Sequence, residues 1–295
     1  MNLRRSSFAL FLLAAGALLA AALAPPPATA QDRVDQFPRT SPNAAVSQTI
    51  GVTDVRITYG RPSMRGRTIF GDLVPYGELW RTGANEATTI HFEHNVQIEG
   101  QPLMAGTYSL FTIPGEDEWT VVFNRTENQW GAYNYDASQD ALRVEVPAAP
   151  TAQSWEMMTF TFENVTDSEG HAVLYWANTR VPIPITVDTP SVLRAAGNNA
   201  ARTSANWQGP LQYATYALQN EVMMDEALTW INQSIAMTEA YQNLAVKARL
   251  LGAMGDYDDA VTFGERAMAE AEAMDAPPNG LDELRERVDA WRAQM

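Results

Sequence analysis

The spacing of apolar residues changes once along this chain, at Asp188-Thr189-Pro190. Before this point apolar and polar residues alternate, so that Val55 and Ile57, for example, share one face of a predicted strand. After this point the chain is rich in Ala, Leu, Met and Glu, and its apolar residues recur every three or four positions, which indicates helices. We therefore predict a β domain followed by a separate α-helical domain.

The β domain is predicted over residues 43–188. About ten short strands, separated by turn signals and without a helical stretch between them, are typical of an antiparallel sandwich. A β-barrel is the alternative. The turn at 115–118 is expected to close a hairpin, and the last two strands are predicted at 172–176 and 181–187.

The helical domain is predicted over residues 200–295, after a linker at 189–199. Ala227 and Ala260 lie in two similar segments and are 33 residues apart, close to the tetratricopeptide period. Gly255 also falls in the register of such a repeat, so we predict tetratricopeptide-like hairpins; generic helical hairpins are the alternative. Two units are fewer than a free-standing solenoid needs, so we expect them to pack on the β domain or on a partner protein.

The first 30 residues have the three zones of a secretory signal peptide. Two arginines precede an apolar run at 8–23, and a proline break at 25–27 precedes an Ala-x-Ala cleavage site at 28–30. A retained membrane anchor is the alternative, but the run is short for a span of about twenty residues. We expect cleavage after this site, a flexible lead-in at 31–42, and a periplasmic or secreted protein with no membrane span after cleavage.

Charge and cysteine content exclude several kinds of partner and site. Cleavage removes two arginines and no acidic residue, which leaves 18 basic and 35 acidic residues and a net charge of −17. Such a chain repels nucleic acid and anionic membrane surfaces, so we expect neither as a partner. The absence of cysteine excludes disulfides and thiolate metal sites.

A motif-dense segment, residues 59–89, contains the run Trp-Arg-Thr-Gly-Ala-Asn-Glu-Ala at 80–87. Further motifs follow at 105–111 and at 130–133, where the residues are Trp-Gly-Ala-Tyr. Together they resemble a family of exported bacterial proteins known only as domain of unknown function 2911, over roughly residues 41–188. The resemblance implies an exported domain that is followed by a helical repeat, and it implies no activity.

The same segment is locally cationic in an acidic protein. Residues 54–86 carry five arginines and four acidic residues. Arginines in Gly- and Pro-rich loops suit bidentate capture of a carboxylate or phosphate, and aromatic rings supply flat apolar walls. We therefore predict an anion- or carbohydrate-binding cleft. Its predicted lining is Arg61, Arg65, Trp80, Arg81, Asn85 and Glu86.

A structural role for these residues is the alternative, because a long irregular loop needs internal ties. Arg81 paired with Glu86, or Asn85 bonded to the loop backbone, would provide them.

Metal, cofactor and nucleophile signatures are weak. His91 and His94 are three residues apart on a predicted strand and would point to opposite faces, and His171 lies in a turn. The acidic loops lack the spacing of a calcium loop. The chain has no nucleophile elbow, P-loop or dinucleotide fingerprint. We expect neither a metal nor a cofactor.

These observations favour an exported, non-enzymatic binding protein of the bacterial envelope. Its β domain would hold a small anion, a glycan or a peptide, and its helical tail would contact a protein. One alternative is a hydrolase acting on a glycan or peptide, with Glu86 and an arginine in its site; a carboxylate pair such as Glu86 with Asp136 could serve glycoside hydrolysis. The other is a purely structural envelope protein.

Overall fold

The computed structural model describes residues 38–295, which form ten strands and six α-helices. The predicted signal peptide lies outside the described residues. The strands are β1 (Asn43–Ile50), β2 (Thr53–Gly60), β3 (Thr88–Phe92), β4 (Val96–Ile98), β5 (Gln101–Leu103), β6 (Gly106–Ile113), β7 (Glu118–Asn124), β8 (Asp140–Pro147), β9 (Ala149–Glu163) and β10 (Glu169–Val187). The helices are α1 (Thr189–Thr203), α2 (Gln208–Asn220), α3 (Met224–Met237), α4 (Tyr241–Met254), α5 (Tyr257–Glu272) and α6 (Leu281–Arg292).

The strands form two antiparallel sheets around one apolar core. One sheet has the order β1-β2-β3-β6-β7-β8 and the other has the order β5-β4-β10-β9. Alternation explains the burial: Val55 and Ile57 of β2 are fully buried, whereas Asp54 and Arg56, which alternate with them, are exposed. The predicted antiparallel β layout and the hairpin between β6 and β7 are confirmed.

The prediction of two separate final strands is wrong, because β10 is a single strand of 19 residues. Its pairing with β9 shifts register on both sides of Ala177, which has a positive φ of 52°. A β-bulge of this kind interrupts the alternation without turning the chain. The break in the sequence pattern is therefore a bulge within one strand.

The helical part begins at once after the sheet. Asp188 caps α1, since its side chain accepts a hydrogen bond from the Ser191 amide at 3.1 Å, and Pro190 occupies the first turn. Residues 189–199, assigned to a linker from the sequence, thus lie inside α1. The helices have buried clusters of their own, distinct from the core between the sheets. A separate C-terminal helical region is confirmed.

The helices α2–α3 and α4–α5 are successive hairpins. Ala227 is the fourth residue of α3 and Ala260 is the fourth residue of α5, and both are fully buried. Gly255, with a φ of 86°, ends α4 and permits the turn into α5. Within residues 38–295, no helix is long and apolar enough to cross a membrane.

The loop that joins β2 to β3, residues 61–87, is long and irregular but tied to the sheet. Trp80 exchanges two backbone hydrogen bonds with Thr112 of β6, at 2.7 and 2.9 Å. At the start of the loop, Gly60 approaches Ala84 so closely that a Cβ on Gly60 would lie 2.0 Å from the Ala84 carbonyl oxygen. Loops of this length are uncommon in compact domains, and they are usually either functional or disordered.

Candidate functional site

A cavity of about 290 Å³ lies under the 61–87 loop. Its lining includes three arginines, two tryptophans and three hydroxyl side chains: Arg65, Arg67, Arg81, Trp80, Trp176, Thr40, Ser41 and Ser63. Apolar contacts come from Pro62, Leu73 and Val74. None of the described residues lining the cavity is Asp or Glu. The cavity is therefore a cationic pocket with an apolar side, in a protein whose net charge is strongly negative.

The apolar side is built from two indole rings. Trp80 stacks on Trp176 of β10, with ring centroids 5.8 Å apart and an interplanar angle of 19°. The Trp80 indole N–H donates to the Gly83 carbonyl at 3.1 Å, so this ring is held by its own loop. Trp176 is 2% exposed, and its indole N–H has no acceptor in the described part of the chain. Trp176 therefore borders the cavity as a core residue with one unsatisfied donor.

Arg81 is the arginine of the cavity lining for which residues 38–295 provide no side-chain partner. Its Nε is buried and finds no hydrogen-bond acceptor among residues 38–295, and the side chain forms no ion pair there. Its backbone is fixed, because the Arg81 carbonyl accepts a hydrogen bond from the Thr88 amide at 3.1 Å. The guanidinium group is therefore held at the cavity with its donors uncommitted.

Arg65 and Arg67 are exposed and bring two further positive charges to the lining. Arg67 is anchored, since its Nε donates to the Met64 carbonyl at 2.9 Å and its Nη2 donates to the Ser63 carbonyl at 2.8 Å. Arg65 adopts a φ of 53°, and its backbone amide donates to Glu156 Oε1 at 2.9 Å. Both side chains are positioned by backbone contacts of the loop and its neighbours.

Residues 39–42, which we call the N-terminal strap, form one wall of the cavity through Thr40 and Ser41. Arg39 at its start forms a salt bridge with Glu86 at 2.8 Å. Three more hydrogen bonds fix the strap, to the carbonyls of Thr40, Ser41 and Pro42. Their donors are Arg65 Nη2 at 3.3 Å, Asn85 Nδ2 at 3.2 Å and the Arg61 amide at 2.8 Å.

The prediction of a flexible lead-in at 31–42 is thus wrong for residues 39–42. The contacts that hold them come from residues far along the chain, and no local sequence pattern reports them.

The six predicted site residues divide into two groups. Arg65, Trp80 and Arg81 line the cavity together. The other three are not among its lining residues. Arg61 ties the loop to β9, donating from Nε to the Met158 carbonyl at 2.9 Å and from Nη2 to Thr159 Oγ1 at 2.7 Å, whereas Asn85 and Glu86 hold the strap.

Sequence reasoning missed several lining residues. Arg67 and Ser63 lie in the same Arg-rich run, so that run was a usable signal for both. Trp176 lies at the end of the strand predicted at 172–176, a place typical of core residues, and it is buried, yet it also borders the cavity. Thr40 and Ser41 carried no signal, because only the docking of the strap brings them to the site.

The side chains of Asn85 and Glu86 were expected to make contacts within the loop, and they instead contact residues 39–42. Glu86 pairs with Arg39 and not with Arg81. Asp136, the possible catalytic partner of Glu86, instead caps a 3₁₀ turn and accepts from the Ser138 amide at 2.9 Å. Each carboxylate therefore has a structural partner of its own.

The histidines lie apart from the cavity lining. His91 is on β3, but β3 ends at Phe92, so His94 lies in the turn that follows and not on the strand as predicted. His94 Nδ1 is 3.3 Å from Thr53 Oγ1. No group of three or more potential metal ligands was found among the described residues.

Comparison with known proteins gives one match. Residues 41–185 match the family model described as "Protein of unknown function (DUF2911)". The match supports assigning this part of the chain to that family, and it ends just before α1 begins at Thr189. No curated protein and no solved structure matches the chain.

Proposed function

We propose that this protein is an exported binding module whose β domain, the part that carries the DUF2911 match, captures a small anionic ligand. The observation that carries the proposal is Arg81, which lines the cavity while its buried Nε has no acceptor among the described residues. An unpaired, partly buried charge is costly, and such groups cluster at functional sites. An anion in the cavity supplies the missing acceptors.

The distribution of charge supports an anion over other ligands. Three arginines meet at the cavity, and none of its described lining residues is acidic. A neutral sugar needs acceptors as well as donors, and the side-chain acceptors in the lining are the hydroxyls of Thr40, Ser41 and Ser63. A glycan or peptide is therefore expected to bind through an anionic group.

The two alternative functions have less support. A glycan hydrolase generally uses a pair of carboxylates about the scissile bond, and the described lining of this cavity offers none. A purely structural role accounts for Arg61, Asn85 and Glu86, which tie the loop and the strap, but it leaves the unpaired Arg81 unexplained.

Export and partner binding complete the proposal. The signal-peptide pattern of residues 1–30 supports a periplasmic or secreted protein, and N-terminal sequencing of the mature protein should give Gln31 first. The paired hairpins α2–α3 and α4–α5 are proposed to be tetratricopeptide-like and to present a protein-contact surface, as stacked helical repeats commonly do.

Replacing Arg81 tests the binding function. Without ligand, Arg81→Met should raise the free energy of unfolding by about 0.5–2 kcal/mol, because it removes an unpaired charge from a partly buried position. Acetate, benzoate, phosphate and sulfate are each added in thermal-shift and calorimetric titrations. A bound anion at about a hundredfold its Kd should stabilise the wild type by ~2.7 kcal/mol, and this gain should be absent from Arg81→Met.

Arg202→Ala is the matched control, because it removes one positive charge at an exposed position of α1 outside the cavity lining. It should leave both stability and anion binding unchanged. Loss of stability in Arg81→Met, together with no response of the wild type to any of the four anions, would reject the binding function and favour the structural role.

A further inference from the structure

The donors of the cavity are unequal, and this difference bears on the class of anion. Arg67 has both Nε and Nη2 committed to backbone carbonyls, and Arg65 has Nη2 on the Thr40 carbonyl. Both are exposed. Arg81 alone among the three keeps all its donors free of the described residues, and its Nε is buried. The planar fork of a single guanidinium matches the two oxygens of one carboxylate.

Partial burial at Arg81 also favours a singly charged ligand. The cost of removing an ion from water rises steeply with its charge, so a dianion would need several donors that bond to it. The lining provides one guanidinium without a partner in the described residues, that of Arg81, and it includes Trp176, whose buried indole N–H has no acceptor among residues 38–295. This donor set fits a carboxylate better than a phosphate dianion.

The remainder of the lining selects for a flat apolar group. Trp80 is half-buried and its N–H is consumed by the Gly83 carbonyl, so its ring offers only apolar surface to a ligand. Leu73 is 44% exposed and lies in the same lining. A cavity of about 290 Å³ is at the lower limit of ligand sites, which restricts the ligand to a small molecule.

We infer that the cavity binds a small monocarboxylate that carries a flat apolar group, with the carboxylate on Arg81 and the apolar group against Trp80 and Leu73. This inference rests on the proposed function of the cavity as an anion site. It specifies the ligand by two features, one charge and one flat apolar face, and each feature is assigned to its own side chains.

Calorimetric titrations with four probes test the two features separately in the full-length mature protein. Benzoate has both features, acetate has only the carboxylate, benzamide is the neutral counterpart of benzoate, and phenyl phosphate carries a different anion on the same ring. We expect benzoate to bind at least tenfold more tightly than each of the other three probes.

Two variants assign the features to side chains. Arg81→Lys keeps the charge but loses the planar fork, and it should weaken benzoate binding at least tenfold. Leu73→Ala shortens an exposed side chain and should fold normally. It should weaken benzoate binding about threefold and leave the acetate affinity unchanged.

The outcomes separate this inference from the function on which it rests. If phenyl phosphate or inorganic phosphate binds at least as tightly as benzoate, and Arg81→Lys weakens that binding, the carboxylate assignment is overturned while the anion site stands. If acetate binds as tightly as benzoate, the apolar assignment is overturned. If benzamide binds as tightly as benzoate, or if no anion binds, both the inference and the anion site are overturned.

Discussion

Single arginines in the β domain have different roles that composition alone does not distinguish. Arg61 and Arg180 each have partners within the β domain: Arg61 bonds to β9, and Arg180 forms a salt bridge with Glu163 at 2.7 Å. These side chains hold strands and loop together. Arg81 has no such partner among the described residues, and in our proposal it is a binding group, whereas Arg61 and Arg180 are structural ties.

The Glu163 carboxylate is an ionisable group whose pKa links stability to pH. Burial alone would raise its pKa, but hydrogen bonds from Tyr175 and Arg180 outweigh burial and hold the pKa below the usual range of a glutamate. A lowered folded-state pKa gives stability that is present above the unfolded-state pKa of about 4.3 and is lost as the pH falls through the folded-state value.

Replacing Glu163 by Gln should therefore give a pH-dependent loss of stability. At pH 7 Glu163→Gln should have a lower free energy of unfolding than the wild type, because the ion pair with Arg180 is gone. The difference should shrink as the pH falls below about 4.3. Urea titrations from pH 7 to pH 3 measure it. Glu116→Gln, at an exposed turn position, is the control and should show no such trend; a pH-independent deficit in Glu163→Gln would contradict the assignment.

Helix crossings in the C-terminal region depend on glycines that leave room for large side chains. A Cβ on Gly252 of α4 would lie 2.3 Å from the Trp291 ring of α6, and a Cβ on Gly197 of α1 would lie 2.6 Å from the Trp230 ring of α3. Distances under 3.0 Å require the packing to shift. These helices therefore meet through glycine and tryptophan pairs, a contact that amphipathic periodicity does not reveal.

Gly252→Ala should destabilise the helical region although alanine is the better helix former. The gain in helix propensity is about 1 kcal/mol, whereas overpacking against Trp291 costs about 1–3 kcal/mol. We expect a net loss of stability, measured as a lower urea midpoint by far-UV circular dichroism. Gln242→Ala places alanine at an exposed position of the same helix and should change stability by less than about 0.5 kcal/mol. A higher urea midpoint for Gly252→Ala than for the wild type would show that α4 and α6 are loosely packed at Gly252 and Trp291.

Residues 39–295 contain a sandwich core and helical cores, and the two parts of the chain join at Asp188 and Thr189. Thr189, the first residue of α1, is 4% exposed, and its hydroxyl donates to the Asp167 carbonyl at 2.5 Å. It lies against Gly51, where a Cβ would be 2.0 Å from the Thr189 hydroxyl oxygen. The first residue of the helical region therefore packs against Gly51, after β1, and Asp167, before β10.

A fragment of residues 38–190 should fold without the helices that follow, because the sandwich core is complete within it and Thr189 is retained. We expect a cooperative melt with a Tm within about 5 °C of the transition of the β part in the full chain. The anion-induced shift should also be preserved. A broad melt, or loss of the shift, would show that the two regions form one cooperative unit. The complementary fragment, residues 189–295, provides the helical reference spectrum.

The sequence by itself determined the plan of the molecule: antiparallel strands, then helices, with the boundary at Asp188-Thr189-Pro190. Such features are local, since alternation and three-to-four spacing report which face of an element is buried. Three of the six residues predicted for the site line the cavity, because Arg65, Trp80 and Arg81 lie in one unusual loop that the sequence reveals.

Only the tertiary structure decided which residues meet in the cavity. It brings Trp176 of the last strand against Trp80, docks the strap through Arg39 and Glu86, and leaves Arg81 without a partner among the described residues. These contacts join positions far apart in sequence, and they depend on how the two sheets pack and on where the 61–87 loop lies against them. A local pattern carries no information about such pairings, because their free energy comes from contacts that exist only once the chain has folded.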